Sequence, residues 1–151
     1  MIKKVSFGYL NAQMVRLHKA LLADKLDELG INYGEVGFLI QTLRHPGRSQ
    51  ESLSVVLGVD KGFAARAIAR LEKNGFLFRK ENAENRREKL VYPTDKTKEI
   101  GEKLHAELMS TNDTMLSDLD DEERDMMMKF MRRVIDTCRH KLDMPSVWDL
   151  I

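Results

Sequence analysis

Asp60-Lys61-Gly62-Phe63-Ala64-Ala65-Arg66-Ala67-Ile68-Ala69-Arg70-Leu71-Glu72-Lys73-Asn74-Gly75-Phe76 is the stretch that decides the fold. Ala64, Ala67, Ile68 and Leu71 fall at i, i+3, i+4 and i+7, the spacing of side chains that share one helical face turned to a core. Arg66, Arg70 and Lys73 take the opposite side, with Gly62 beside them and Phe63 on the flank. Asp60 can cap the start of this helix by accepting from a free backbone N–H, and Gly75 suits the left-handed position at its end. Just upstream, Ser49 can cap a shorter helix whose buried side is Leu53, Val56 and Leu57, and Gly58-Val59 makes the tight turn between the two. Two helices joined by so short a glycine-bearing turn make a helix-turn-helix. Just downstream, Phe76-Leu77-Phe78-Arg79 and Lys89-Leu90-Val91-Tyr92 have strand composition, and Pro93 ends the second. The polar segment Glu81-Asn82-Ala83-Glu84-Asn85-Arg86-Arg87 lies between them and lacks helical period. A hairpin with an arginine-bearing tip, placed directly after the helix-turn-helix, gives a winged helix.

The flanks are helical. Leu10, Met14, Leu17 and Leu21 share a face of a first helix from about Ser6 to Leu29, stopped by Gly30. Asn32 and Glu35 form a capping box that opens a second helix, with Val36, Leu39, Ile40 and Leu43 as its stripe and His45-Pro46-Gly47 as its end. Thr94 caps a long fifth helix bearing Ile100, Leu104 and Leu108, with Met115 and Leu119 continuing the spacing. Asp120 and Glu123 form another capping box, opening a sixth helix lined by Met127, Phe130, Met131, Val134, Cys138 and Leu142 and ended before Pro145. The expected fold class is mostly α with a small β-hairpin: a winged helix-turn-helix lobe over residues 31–93, an N-terminal helix in 1–30 and C-terminal helices in 94–151.

The chain has 151 residues, 42% apolar and 32% charged, enough to bury one core beneath a well-solvated surface. No uncharged run approaches the roughly 20 residues needed to span a bilayer. Lys3-Lys4 precede no long apolar run of the kind a secretory signal carries. One cysteine excludes an internal disulfide framework, and four scattered histidines argue against a zinc module, so neither metal nor cofactor is expected. The expected setting is cytoplasmic. The net charge of +1 hides a pattern: residues 44–93 carry +5 and residues 94–125 carry −7. Such asymmetry suits a polyanion partner for the basic part, or helices solvated by mixed charge.

A major groove admits an α-helix, and arginine can hold guanine O6 and N7 together. Lys61, Gly62, Phe63, Ala65, Arg66 and Arg70 are therefore candidates for contacting DNA, the small residues permitting close backbone approach. Phe63 can instead belong to the core. At the hairpin tip, Asn85, Arg86, Arg87 and Lys89 are candidates for a wing in the minor groove, where an arginine meets enhanced negative potential; a merely solubilising loop is the alternative. Ser49, Gln50, Arg79 and Lys80 are candidate phosphate contacts, which position a protein without reading sequence.

The segment from Asp60 through Phe76, then Asn85-Arg86-Arg87 and Thr94 after the second strand, resembles the multiple antibiotic resistance regulator (MarR) family, along nearly the whole chain. That resemblance implies a homodimeric winged-helix repressor or activator on a short palindromic operator in double-stranded DNA. The N- and C-terminal helices would form the dimer, and release by a small phenolic or anionic effector, or by cysteine oxidation, would be typical. One residue departs from the pattern. The family wing usually has an aspartate where this chain has Asn85, two positions before the minor-groove arginine, here Arg87. Asparagine can orient that arginine only by a neutral-acceptor bond, about half as strong.

The apolar stripes of the last two helices, and Val147, Trp148, Leu150 and Ile151 beyond them, exceed what a small winged-helix core can cover, which favours burial in a second subunit over intrachain packing. Arg16 and His18 are candidate effector contacts in the first helix, at the level where similar proteins place a pocket; solvated helix residues are the alternative. Cys138 occupies an apolar position, where a buried cysteine acts as a small hydrophobe. Cys138 and His140 point to different faces and make a poor metal pair. No nucleophile–base pair, metal-ligand cluster or phosphate loop supports an enzyme. The expected function is a sequence-specific DNA-binding regulator, with repression the expected sign. The competing reading is a winged-helix protein-interaction module that never contacts DNA.

Overall fold

A computed structural model describes residues 5–148 and 150–151, so Lys3 and Lys4 lie outside the described residues. The chain order is α1 (Phe7–Leu29), a 3-10 turn (Tyr33–Glu35), α2 (Val36–Arg44), β1 (Arg48–Ser49), α3 (Gln50–Leu57), α4 (Lys61–Lys73), β2 (Leu77–Glu81), β3 (Lys89–Pro93), α5 (Asp95–Met115) and α6 (Asp121–Lys141). Local chemistry sets these limits. Ser6, Ser49, Asp60, Thr94 and Asp120 each accept from a backbone N–H three residues on, satisfying one orphan donor of the helix they open. Gly30, Gly58 and Gly75 take φ of 71°, 66° and 77°, the left-handed conformation that ends α1, α3 and α4 at almost no steric cost.

Three details differ from the sequence reading. The Asn32–Glu35 box opens a 3-10 turn before α2 begins. The helix-turn-helix lobe has a third strand: β1 pairs antiparallel with β3 (Arg48↔Val91), giving the order β1-β3-β2. Two residues are too few to show an alternating pattern. Finally, α5 ends at Met115, so Leu119 lies in the turn before α6.

The core forms where the lobe meets the inner halves of α1 and α5. Leu22 and Leu26 from α1, Phe38 and Leu39 from α2, and Leu53 from α3 are buried there together. Ala64, Ile68 and Leu71 from α4, Val91 from β3 and Leu104 from α5 complete it. Lys25 is ion-paired with Glu107, joining α1 to α5. Thr97 donates from Oγ1 to the Phe76 carbonyl at 2.5 Å, fixing the start of α5 to the end of the lobe. Buried packing stops short of α6, whose only buried residue is Arg139.

Candidate nucleic-acid interface

Helix α4 buries Ala64, Ala67, Ile68 and Leu71, as its spacing requires, and turns Lys61, Gly62, Arg66, Arg70 and Lys73 to solvent. Arg66 folds back over Gly62: a Cβ on Gly62 would come within 3.2 Å of the Arg66 guanidinium. The glycine thus leaves room for both the arginine and an approaching surface. Ala65 beside it is only partly exposed. Phe63 lies across the flank with its ring 6.3 Å from that of Phe38 and against Gly34, so much of it packs inward while 37% stays exposed.

Arg70 is more constrained than its place on the open face suggests. Its Nη1 donates to Glu35 Oε1 at 2.5 Å, while the other carboxylate oxygen of Glu35 accepts from the Asn32 N–H at 2.9 Å. Glu35 is buried, and Arg70 is half exposed. The carboxylate therefore caps the 3-10 turn and tethers α4 at once. In sequence, the capping box accounted fully for Glu35, and nothing announced a partner 35 residues away.

Arg79, a candidate phosphate contact, is engaged within the subunit. Its Nε and Nη2 both donate to Glu72 Oε2, at 3.0 and 2.6 Å, and its Nη1 to Gln50 Oε1 at 3.3 Å. Arg79 thereby pins β2 to α4, engages Gln50 as well, and holds the Glu72 carboxyl below its usual range chiefly by hydrogen bonding. Ser49 serves as the cap of α3, accepting from the Ser52 N–H at 3.1 Å. Lys80 sits over the stacked rings of Phe78 and Tyr92, 5.5 and 5.4 Å from their centroids. Lys61 and Lys89 are ion-paired with Glu51 and Glu81 at 2.8 and 3.1 Å, on an exposed surface where such pairs exchange readily with solvent. The Lys61 ammonium also lowers the pKa of Glu51.

Among the described residues, none of the ion pairs involves Arg66, Arg86 or Arg87. Arg86 and Arg87 stand exposed at the hairpin tip. Asn85 Oδ1 accepts from the backbone N–H of Arg87 at 3.3 Å. That bond shapes the turn and leaves the guanidinium unanchored, so the orienting role expected for Asn85 falls on the main chain. Between the tip and the helices lies an open cleft of about 250 Å³, where Lys61, Arg87 and Lys89 face Glu51 and Glu88, with Gln50 and Ser54 on its wall.

The expected effector contacts do not converge. Residues two apart on a helix point about 200° from each other. Arg16 is exposed, while His18 turns inward and its Nδ1 lies 2.7 Å from the Tyr33 hydroxyl. Burial pushes the His18 pKa down and that of Tyr33 up. Cys138 is exposed, not buried, and its α6 neighbours Phe130, Met131, Val134 and Ile135 are exposed with it. No group of acid, cysteine and histidine side chains suited to a metal occurs among the described residues, and no helix there is long and apolar enough to cross a membrane.

The recognition geometry and three-stranded wing define a winged helix-turn-helix protein of the transcription-regulator class. The MarR family profile matches residues 29–88. The HTH-type transcriptional regulator YybA of Bacillus subtilis (strain 168) is 31% identical over 107 residues, covering 71% of each chain. This chain belongs to the MarR family. A crystal structure of MarR superposes with a TM-score of 0.82 at 27% identity, over 95% of this chain and 97% of that one. A MarR family regulator from Listeria monocytogenes, solved in complex with a 26mer DNA, superposes with a TM-score of 0.83 at 25% identity, over 92% of each chain.

Proposed function

We propose that the protein is a cytoplasmic, homodimeric repressor that binds a palindromic operator in double-stranded DNA. The carrying observation is that Arg66 on the open face of α4 and Arg86 and Arg87 on the wing tip are cations of one lobe that form no ion pair among the described residues. Helix α4 would enter the major groove, where Arg66 can hold a guanine edge bidentately, with Lys61, Gly62, Phe63 and Ala65 at the approach. Arg70, with Nη1 tethered, can offer only its remaining edge. The wing residues Asn85, Arg86 and Arg87 would lie along the minor groove, with Lys89 on the backbone. Ser49, Gln50 and Lys80 remain candidate phosphate contacts, while Arg79 acts through the Glu72 pair. The Listeria relative, solved in complex with a 26mer DNA, supports a DNA-binding role.

Dimer formation finds its support in two bare faces, with residues 1–30 and 94–151 supplying the contacts. Leu10, Leu17, Leu21 and Phe7 of α1 are exposed, as are Phe130, Met131, Val134 and Ile135 of α6. Between Phe7 and the α6 side chains runs an apolar groove of about 660 Å³. Apolar side chains gathered in one exposed groove, unlike single apolar residues scattered over a surface, are the mark of an interaction site. For an anionic or phenolic effector, the support is the polar His18–Tyr33 contact where α1 meets the lobe.

Sequencing the duplexes that the purified protein enriches from random DNA tests the reading. The expected product is a palindrome with half-sites about one helical turn, roughly 10 bp, apart. A pool that stays random at low salt overturns DNA binding and leaves the winged helix as a protein-interaction module.

A further inference from the structure

Beyond α6 the chain reverses. Asp143 takes φ 52°, and the Met144 N–H returns to the Arg139 carbonyl at 2.8 Å. Aspartate is among the few residues that enter this left-handed region readily. The segment that follows runs back along α6: Trp148 Nε1 donates to Asp136 Oδ1 at 2.6 Å, and the Arg132 guanidinium lies 5.3 Å from the indole ring. Part of the tail therefore packs within its own subunit, correcting the expectation that a second subunit buries it: Val147 is only 4% exposed.

Helix α6 and the segment that follows it each hold the reading lobe at one point. Arg139 is buried, and its Nη2 donates to the carbonyl of Val55 at 2.7 Å while Nε donates to that of Pro145 at 2.7 Å. Val55 lies in the last turn of α3, and its carbonyl also accepts from the Gly58 N–H at 3.2 Å. Gly58, in the turn of the helix-turn-helix, makes room: a Cβ there would meet Arg139 Nη1 at 3.4 Å. Farther on, Arg48 of β1 donates from Nη2 to the Leu150 carbonyl at 2.6 Å and from Nη1 to Gln41 Oε1 at 2.7 Å. Arg139 thus joins α6 to the turn of the helix-turn-helix, and the tail joins it to the root of the wing.

A buried guanidinium held by carbonyls alone is a poor filler for an apolar gap. What it supplies is direction, because its planar fork fixes the donor angles. The geometry points to Arg139 as a positioning residue: with the strap of residues 142–148 and 150–151, it sets the angle at which α6 carries the reading lobe, and so the half-site spacing that a dimer accepts. This inference rests on the dimeric DNA reading above.

The test compares the full chain with Arg139→Leu and with the conservative Arg139→Lys, each first weighed and melted in solution. All three are titrated with duplexes carrying the enriched palindrome, its half-sites moved by one or two base pairs either way. The native chain binds one spacing best. In Arg139→Leu the preference for that spacing over its neighbours falls about threefold or more, because a loosely held lobe no longer fixes the separation, and Arg139→Lys recovers part of it. An unchanged preference in a folded, dimeric Arg139→Leu overturns the proposal, as does an equal loss at every spacing. Should Arg139→Leu not fold, a chain ending at Met144 takes its place.

A second measurement needs no DNA. Spin labels at Ala69→Cys in a Cys138→Ser background report the distance between the two α4 helices of a dimer. The distribution is narrow in the native chain and broad without Arg139, and equal widths overturn the proposal. If the native dimer binds no duplex, the DNA reading fails while this distance still judges the strap. A native chain that is monomeric overturns both.

Discussion

Removing either partner of the Glu35–Arg70 pair should have unequal consequences. Arg70→Ala leaves the Glu35 carboxylate, 5% exposed, without its cation. A buried charge stripped of its partner costs about 3–5 kcal/mol, and the remaining Asn32 N–H bond offsets part of that, so about 2–4 kcal/mol is expected. Glu35→Gln keeps the shape but has a single acceptor oxygen, so it can serve Arg70 Nη1 or the Asn32 N–H while its amide NH2 faces the other donor. It removes the carboxylate charge and one of the two bonds, and leaves an arginine, 44% exposed, that water can solvate. Screening of that exposed partner reduces the loss to about 1 kcal/mol. Urea unfolding at one fixed protein concentration measures both, since association would otherwise shift the midpoint. If Arg70→Ala proves no more costly than Glu35→Gln, Glu35 is not a buried charge anchored by Arg70, and the tether described for α4 is wrong.

Arg66→Ala should relax base preference at one position of each half-site, costing about 1–3 kcal/mol there, whereas Lys89→Ala should weaken all sequences alike and lower the salt dependence, as binding isotherms on matched and mutated duplexes at several salt concentrations will reveal. Phe130→Lys places a charge in the bare α6 face; light scattering should find the subunits dissociated, with operator binding lost in parallel. Lowered in the fold by burial, the His18 pKa means that the unfolded chain takes up its proton first as pH drops. Its stabilising contribution is therefore complete above about pH 6.5 and is lost as pH falls from there through the folded pKa. Urea midpoints from pH 7.5 to 5 should decline less steeply in His18→Gln than in the native chain.

Helix limits were legible because they depend on neighbours in sequence. Ser49, Asp60, Thr94 and Asp120 each announce a cap, and the glycines at 30, 58 and 75 announce the stops. The winged helix followed from Ala64, Ala67, Ile68 and Leu71 together with the two strand-like runs around the polar tip. Electrostatic partners were not legible. Arg70 and Arg79 read as free cations on an open face because Glu35 and Glu72 reach them only through the tertiary fold. Arg16 and His18 share a level of the first helix where similar proteins place a pocket, but helical geometry sends them apart. The strap escaped notice because apolar residues after a helix look alike whether they fold back or await a partner.

Asn85 shapes the hairpin tip through the main chain and leaves the Arg87 side chain its full range of rotamers. An arginine that must be immobilised on contact gives up about 2 kcal/mol of conformational freedom, a toll that an anchored aspartate–arginine pair would have settled at folding. In a DNA-reading dimer the toll falls twice, once per finger. Such a protein lets go of imperfect sites quickly and scans a long duplex easily, and it reserves long residence for sequences whose grooves are narrow enough to repay the loss.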